Sequence, residues 1–212
     1  MKKAFIFLTL LFALSSVFAG GSSEKTASAP VKNVSDIITM AIPVDPDGLD
    51  PHVTASASTF QITSNIYESL ITVDEQGNLI PALAESWSVS DDGLEITFRL
   101  RDNALFSDGR KCTSAEVKAS FERLKGEESV RQNDYAFITS IVTPDERTIV
   151  FVFVMDSLNV AALSSFAYPW AAVVDVTQDN LRAKPVGTGP YVLKSWTAQQ
   201  SLVLDRIQGG SI

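Results

Sequence analysis

The sequence predicts an α+β fold built on a mixed sheet, and three stretches carry that prediction. Leu94–Leu100 alternates, with Leu94, Ile96, Phe98 and Leu100 on one face and Glu95, Thr97 and Arg99 on the other, the period of a half-buried strand. Thr113–Leu124 opens on a capping box, Thr113 with Glu116, and repeats Val117, Phe121 and Leu124 at helical spacing. Thr148–Val154 is rich in β-branched residues, as strands are. Hairpins mixed with helical segments in one chain of 212 residues make α/β of the α+β kind the expected class.

The first segment has a separate purpose. Lys2 and Lys3 precede an apolar run, Ala4–Leu14, and Val17-Phe18-Ala19 ends in a small-x-small pattern. This predicts a secretory signal peptide over 1–19, cleaved after Ala19. The run is shorter than the ~20 residues a membrane span needs. Gly20–Ser35 is small, polar and without periodicity, a flexible linker. Gly stands at position 20, where a lipoprotein has Cys, so the expected product is exported and not lipid-anchored.

Ile37–Ile42 is predicted as a short buried strand, running into a loop, Pro43–His52, in which prolines alternate with Asp45, Asp47, Gly48 and Asp50. Proline fixes φ and Asp and Gly favour turns, so the loop is ordered, either the lining of a ligand cleft or a stiff surface turn. Ala55–Leu70 has helical spacing, with Ser56 or Ser58 as its cap. Ile71–Val73 is a strand, Asp74–Asn78 a hairpin turn with Gly77 at positive φ, and Pro81–Glu85 a helical turn. Ser86–Ser90 pairs with Leu94–Leu100 across Asp91-Asp92-Gly93. Further on, Pro144–Arg147 is a turn, Ser157–Phe166 a short helix, Ala171–Val174 a strand and Thr177–Ala183 helical. Gly187–Pro190 turns into the strand Tyr191–Trp196, which returns through Ala198–Gln200 to Leu202–Leu204.

Composition excludes several functions. Removal of 1–19 leaves 15 basic and 25 acidic residues, a net charge of −10, which repels nucleic acid and anionic lipid. With one His, His52, and one Cys, Cys112, a transition-metal site is not expected, and Asp45, Asp47 and Asp50 lack the calcium-loop spacing. No G-x-S-x-G element is present and His52 stands alone, so neither catalysis nor a cofactor is expected. Trp87 and Trp196 sit in predicted strands as core or core-edge residues. Phe166-Ala167-Tyr168-Pro169-Trp170 is an aromatic loop around a proline, either a cleft wall or a packed corner.

Three stretches together carry a family likeness: AIPVDPDGLDPH (41–52), NIYESLITVDEQGNLIPALAESWSVSDDGLEITFRLRDNALFSDGRKCTSAEVKASFERL (65–124) and PVGTGPYVLKSW (185–196). In order and spacing the chain resembles the N-terminal part of the family 5 extracellular solute-binding proteins, the oligopeptide-, dipeptide- and nickel-binding proteins of ABC transporters. The resemblance implies a periplasmic-binding-protein-like fold of class II, in which two lobes close around a solute. It makes 36–212 the first lobe, truncated, with the second lobe absent, because Asp205-Arg206-Ile207-Gln208-Gly209-Gly210 departs from the family pattern. It implies a periplasmic protein that binds oligopeptides or dipeptides and delivers them to a membrane permease. The alternative is a truncated, non-transporting fragment or envelope interaction module. It places the 43–49 and 166–170 loops at the cleft, with Val44, Asp45, Pro46, Leu49, Tyr168 and Trp170 as lining residues.

Overall fold

The computed structural model describes residues 37–154 and 160–207. The expected signal peptide, the linker and the first residues of the Ser157–Phe166 helix lie outside the described residues. The chain divides into two units, Met1–Met40 and Ala41–Ile212. In the first, residues 37–40 carry neither helix nor strand.

The second unit is α+β. Its elements run α1 (Ala57–Ile66), β1 (Ile71–Val73), β2 (Leu79–Pro81), β3 (Ala84–Val89), β4 (Glu95–Leu100), α2 (Ser114–Leu124), β5 (Ile138–Asp145), β6 (Thr148–Phe153), α3 (Val160–Ser165), β7 (Tyr191–Thr197) and β8 (Ser201–Arg206). The described ladders are antiparallel: a four-stranded sheet in the order β3-β4-β6-β5, and the hairpins β1-β2 and β7-β8. The crossover through α2 lets β6 insert between β4 and β5.

Alternation decides which face of the sheet is buried. Ile96, Phe98 and Leu100 on β4 and Ile149, Phe151 and Phe153 on β6 point into one core with Val117, Phe121 and Leu124 of α2. Four rings meet there: Phe151 lies 4.7 Å from Phe166 and 4.8 Å from Phe121, and Phe98 lies 5.0 Å from Phe166. The capping box is present, with the Thr113 N–H donating to Glu116 Oε2 at 2.9 Å. Cys112 is buried in this core, and burial pushes its thiol up to about 12, so it packs as a small apolar group. A second core gathers Leu49, Ile62, Ile66, Tyr67, Val174 and Leu181, with Trp196 and Leu204 packed on its edge.

Four expectations are corrected. Ile37–Ile42 is neither helix nor strand and joins none of the described ladders. Pro81–Glu85 is not helical: Leu83 and Ala84 donate to the carbonyls of Ser69 and Leu70, and the chain bends at 82–83 between β2 and β3. Ala171–Val174 is buried but is no strand, because the backbone groups of 172–174 pair with three separate segments, as described below. Thr177–Ala183 is a series of turns. The Asp175 carboxylate takes the Thr177 N–H and the Asn180 carbonyl takes those of Ala183 and Lys184, local bonds that compete with a helix.

Candidate functional site

The 43–54 loop is held from several sides. Asp47 accepts hydrogen bonds from Thr54 Oγ1 at 2.7 Å and Thr59 Oγ1 at 2.8 Å, which ties the loop to the start of α1. Burial opposes ionisation of Asp47, but these two bonds hold its carboxyl below the usual range. The Leu49 N–H donates to the Arg182 carbonyl at 2.9 Å, and the Arg182 guanidinium donates to the Asp47 carbonyl. Asp50 pairs with Arg123 of α2.

His52 fastens this loop to the segment after the aromatic stretch. Its Nε2 lies 3.0 Å from the Ala172 carbonyl, a contact that requires the Nε2–H tautomer. The same carbonyl faces Ser120 Oγ, while Ser120 Oγ accepts from the Val174 N–H at 3.0 Å. The Val173 N–H donates to the Glu68 carbonyl at 2.8 Å. Residues 172–174 are thus fixed by the loop, α2 and the end of α1 in turn.

Burial pushes the His52 imidazole down to about 4 from 6.5, and the Arg123 charge adds to the shift against the opposing Ala172 carbonyl and Asp50. A depressed histidine destabilises the fold on the acid side. The contribution of neutral His52 is complete above about pH 6.5 and falls as pH drops toward 4, by about 2 kcal/mol at pH 5. Urea midpoints at pH 7 and pH 5 check this: wild type should lose stability across the interval and His52→Gln should lose much less. Equal losses would contradict it. Asp175 acts in a lower window. Burial raises its carboxyl, but hydrogen bonds from Arg110, Thr177 and Gln178 hold it at about 2, so its contribution is lost only below about pH 4.

A cavity of about 330 Å³ opens where α1 ends, between Ser64, Tyr67, Glu68 and Ser69 on one side and Ala167, Pro169 and Ala172 on the other. Its walls are braced. Glu68 takes a two-pronged bond from Arg101, at 2.7 and 2.6 Å, and Ser69 Oγ donates to the Tyr168 carbonyl at 2.8 Å. The Tyr67 hydroxyl is buried and has no hydrogen-bond partner among the described residues. Beside the cavity, Tyr168 stacks on Trp170 with 4.5 Å between ring centres, and Phe60 lies 5.8 Å from Trp170.

The six residues expected at the cleft are therefore divided. Tyr168 and Trp170 are brought together, and Tyr168 is 44% exposed. Val44 is 62% exposed, Asp45 half-buried and Pro46 buried, and none of the three lines the cavity. Leu49 has no exposed surface; it anchors the loop in the second core and presents nothing to a solute in this conformation. Sequence reasoning missed Tyr67, Glu68 with Arg101, and His52 as a tie. The pairing of Pro51 with the chain's one histidine was the available signal for the last of these.

The model for bacterial extracellular solute-binding proteins, family 5, matches residues 78–208. The chain belongs to this family. It is similar to the probable D,D-dipeptide-binding periplasmic protein DdpA of Escherichia coli K12, at 32% identity over 96% of this chain and 41% of that protein. Among solved structures it is similar to the periplasmic binding protein AgaA of A. tumefaciens R10 in complex with agropinic acid, at 34% identity and a TM-score of 0.71. That match covers 77% of this chain and 34% of AgaA. It is also similar to the ABC transporter-associated periplasmic binding protein DppA of Helicobacter pylori in complex with the peptide STSA, at 26% identity and a TM-score of 0.70. There the coverage is 79% of this chain and 38% of DppA. The fold of the second unit is thus that of part of a periplasmic binding protein, and the chain spans about two fifths of the length of the curated relative.

Proposed function

We propose that residues 36–212 form one lobe of an exported solute-capture protein, which holds peptides outside the cytoplasmic membrane for an ABC permease. The observation that carries this reading is the braced 330 Å³ cavity beside the Tyr168–Trp170 stack in a chain of this family. The stack offers a rigid, flat apolar surface to ligand side chains, and the cavity is the size of a small-ligand pocket. Signal peptide 1–19 and linker 20–35 belong to the same reading, as the export address and the tether.

Residues 36–212 correspond to about two fifths of the curated relative, so peptide binding to these residues taken by themselves should be weak. Titration with alanyl-alanine, followed by amide chemical shifts, is expected to move signals of residues 64–69 and 166–172 with a Kd of about 1 mM or weaker, ~4 kcal/mol. Micromolar binding would overturn the division of the cleft between two lobes. No shift in either segment at saturating peptide would overturn the reading itself.

A further inference from the structure

We propose that His52 is an acid-sensitive fastener: on taking up a proton it loosens the 43–54 loop and residues 172–174 from each other and from α2, while the four-stranded sheet stays folded. The inference is independent of what the cavity binds.

His52 has no exposed surface and sits where three segments meet. Its Nε2 faces the Ala172 carbonyl, its backbone N–H donates to Asp50 Oδ1 at 3.0 Å, and its carbonyl accepts from the Val130 N–H at 3.1 Å. Nδ1 is buried and has no hydrogen-bond partner among the described residues. In the neutral ring that atom is a bare acceptor; in the imidazolium it carries a proton that needs one. Protonation therefore keeps the Nε2 bond but adds an unpaired donor and a charge to a closed site. Burial and the Arg123 charge set the price, holding the ring at about 4 against 6.5 in open chain, so acid favours the opened junction between those values.

The groups around the ring do not absorb this charge as they stand. Asp50, on the loop itself, already takes two bonds from Arg123 of α2, and Arg123 repels an imidazolium. Asp47 is taken by Thr54 and Thr59. Beyond Ala172, Asp175 is held by Arg110, Thr177 and Gln178. At the end of α1, burial keeps the Tyr67 hydroxyl protonated and Arg101 grips Glu68. After α2, Lys125 pairs with Glu122, and Glu127 and Glu128 are exposed. Relief comes when Asp50 changes partners from Arg123 to His52. Arg123 keeps 22% of its side chain exposed, so its head moves out to water. That exchange frees the loop from α2. The opening stays local because the junction is made of single bonds, such as the Val174 N–H on Ser120 Oγ, whereas the sheet is held by its ladders and ring cluster.

The test is amide hydrogen exchange of the whole chain at pH 7 and pH 5, over urea concentrations below the unfolding transition. From pH 7 to pH 5 the His52, Val130 and Val174 amides should lose protection by about tenfold or more. They should exchange ahead of the β6 amides and with a shallower urea dependence, the mark of local opening. His52→Gln, whose side-chain amide can still donate to the Ala172 carbonyl, should hold nearly the same junction protection at both pH values. Junction amides that exchange in step with β6, at equal urea dependence, would overturn the local opening. An equal acid loss in His52→Gln would overturn the role of His52. If that variant fails to fold, the wild-type exchange and the ring nitrogen shifts decide: a neutral Nε2–H ring at pH 5.5 supports the proposal, and a ring half-charged near pH 6.5 in the folded protein overturns it.

Discussion

Replacing Gly187 with alanine is expected to destabilise the protein by about 3–4 kcal/mol, a shift of roughly 10 °C in the thermal midpoint of a chain this size. A Cβ at this position would lie 2.1 Å from the Ile66 carbonyl oxygen and 2.6 Å from Tyr67 Cδ1. The obstacle is backbone at the end of α1, which cannot rotate aside as a side chain can. Two hydrogen bonds depend on the same approach: the Gly189 N–H donates to the Ile66 carbonyl at 2.9 Å, and the Gly187 carbonyl accepts from Ser107 at 2.8 Å. Gly77→Ala is the matched control. Its φ is +83° but its Cβ would meet nothing within 4 Å, so it should cost only about 1 kcal/mol for the backbone strain. Chemical denaturation of the two variants checks the contrast, and a Gly187→Ala loss no greater than that of Gly77→Ala would refute it. The consequence reaches the site, because Tyr67, which this glycine contacts, lines the cavity.

Gly187 also shows where local reading stops. In sequence, Gly187-Thr188-Gly189-Pro190 is a turn before a strand, and so it is; that Gly187 also admits Ile66 at the end of α1 is a contact between residues 121 positions apart in the chain. Features settled within one or two turns of chain were legible. The Thr113–Glu116 capping box, the alternation of β4, the Gly77 turn and the β7–β8 hairpin are of this kind. Ile37–Ile42 and Ala171–Val174 have the composition of strands, but a strand is a relation between two segments, and composition does not report the partner. At 172–174 the backbone finds His52, Ser120 and Glu68 in place of a ladder. The candidate site divides in the same way. Tyr168 and Trp170 are close in sequence and were visible as a cluster. Arg131 over Trp170 and Arg101 on Glu68 are joined only by the fold, and a lone arginine in a polar stretch carries no signal of the ring it will cover.

Phe166 is where core and site meet, and its truncation should show both. Its ring has no exposed surface and lies 4.7–5.5 Å from those of Phe98, Phe121 and Phe151. Phe166→Ala removes one ring from a four-ring cluster between α2 and the sheet and is expected to cost about 4 kcal/mol. Phe166→Leu keeps most of the volume and should cost no more than about 1.5 kcal/mol. The two variants also separate anchoring from stability. Ala167, Tyr168, Pro169 and Trp170 follow directly, and the segment is fixed further along by the Tyr168 and Ala172 carbonyls, which face Ser69 and His52. With Phe166 withdrawn, the near end of the segment loses its hold on the core while the far end keeps it. Near-ultraviolet circular dichroism, which reads the immobilised Tyr168–Trp170 stack, should then weaken in Phe166→Ala under conditions where the chain is still folded, and persist in Phe166→Leu. An unchanged aromatic signal in folded Phe166→Ala would mean that the stack is held by Phe60 and Arg131, with the core ring contributing stability but no geometry to the wall.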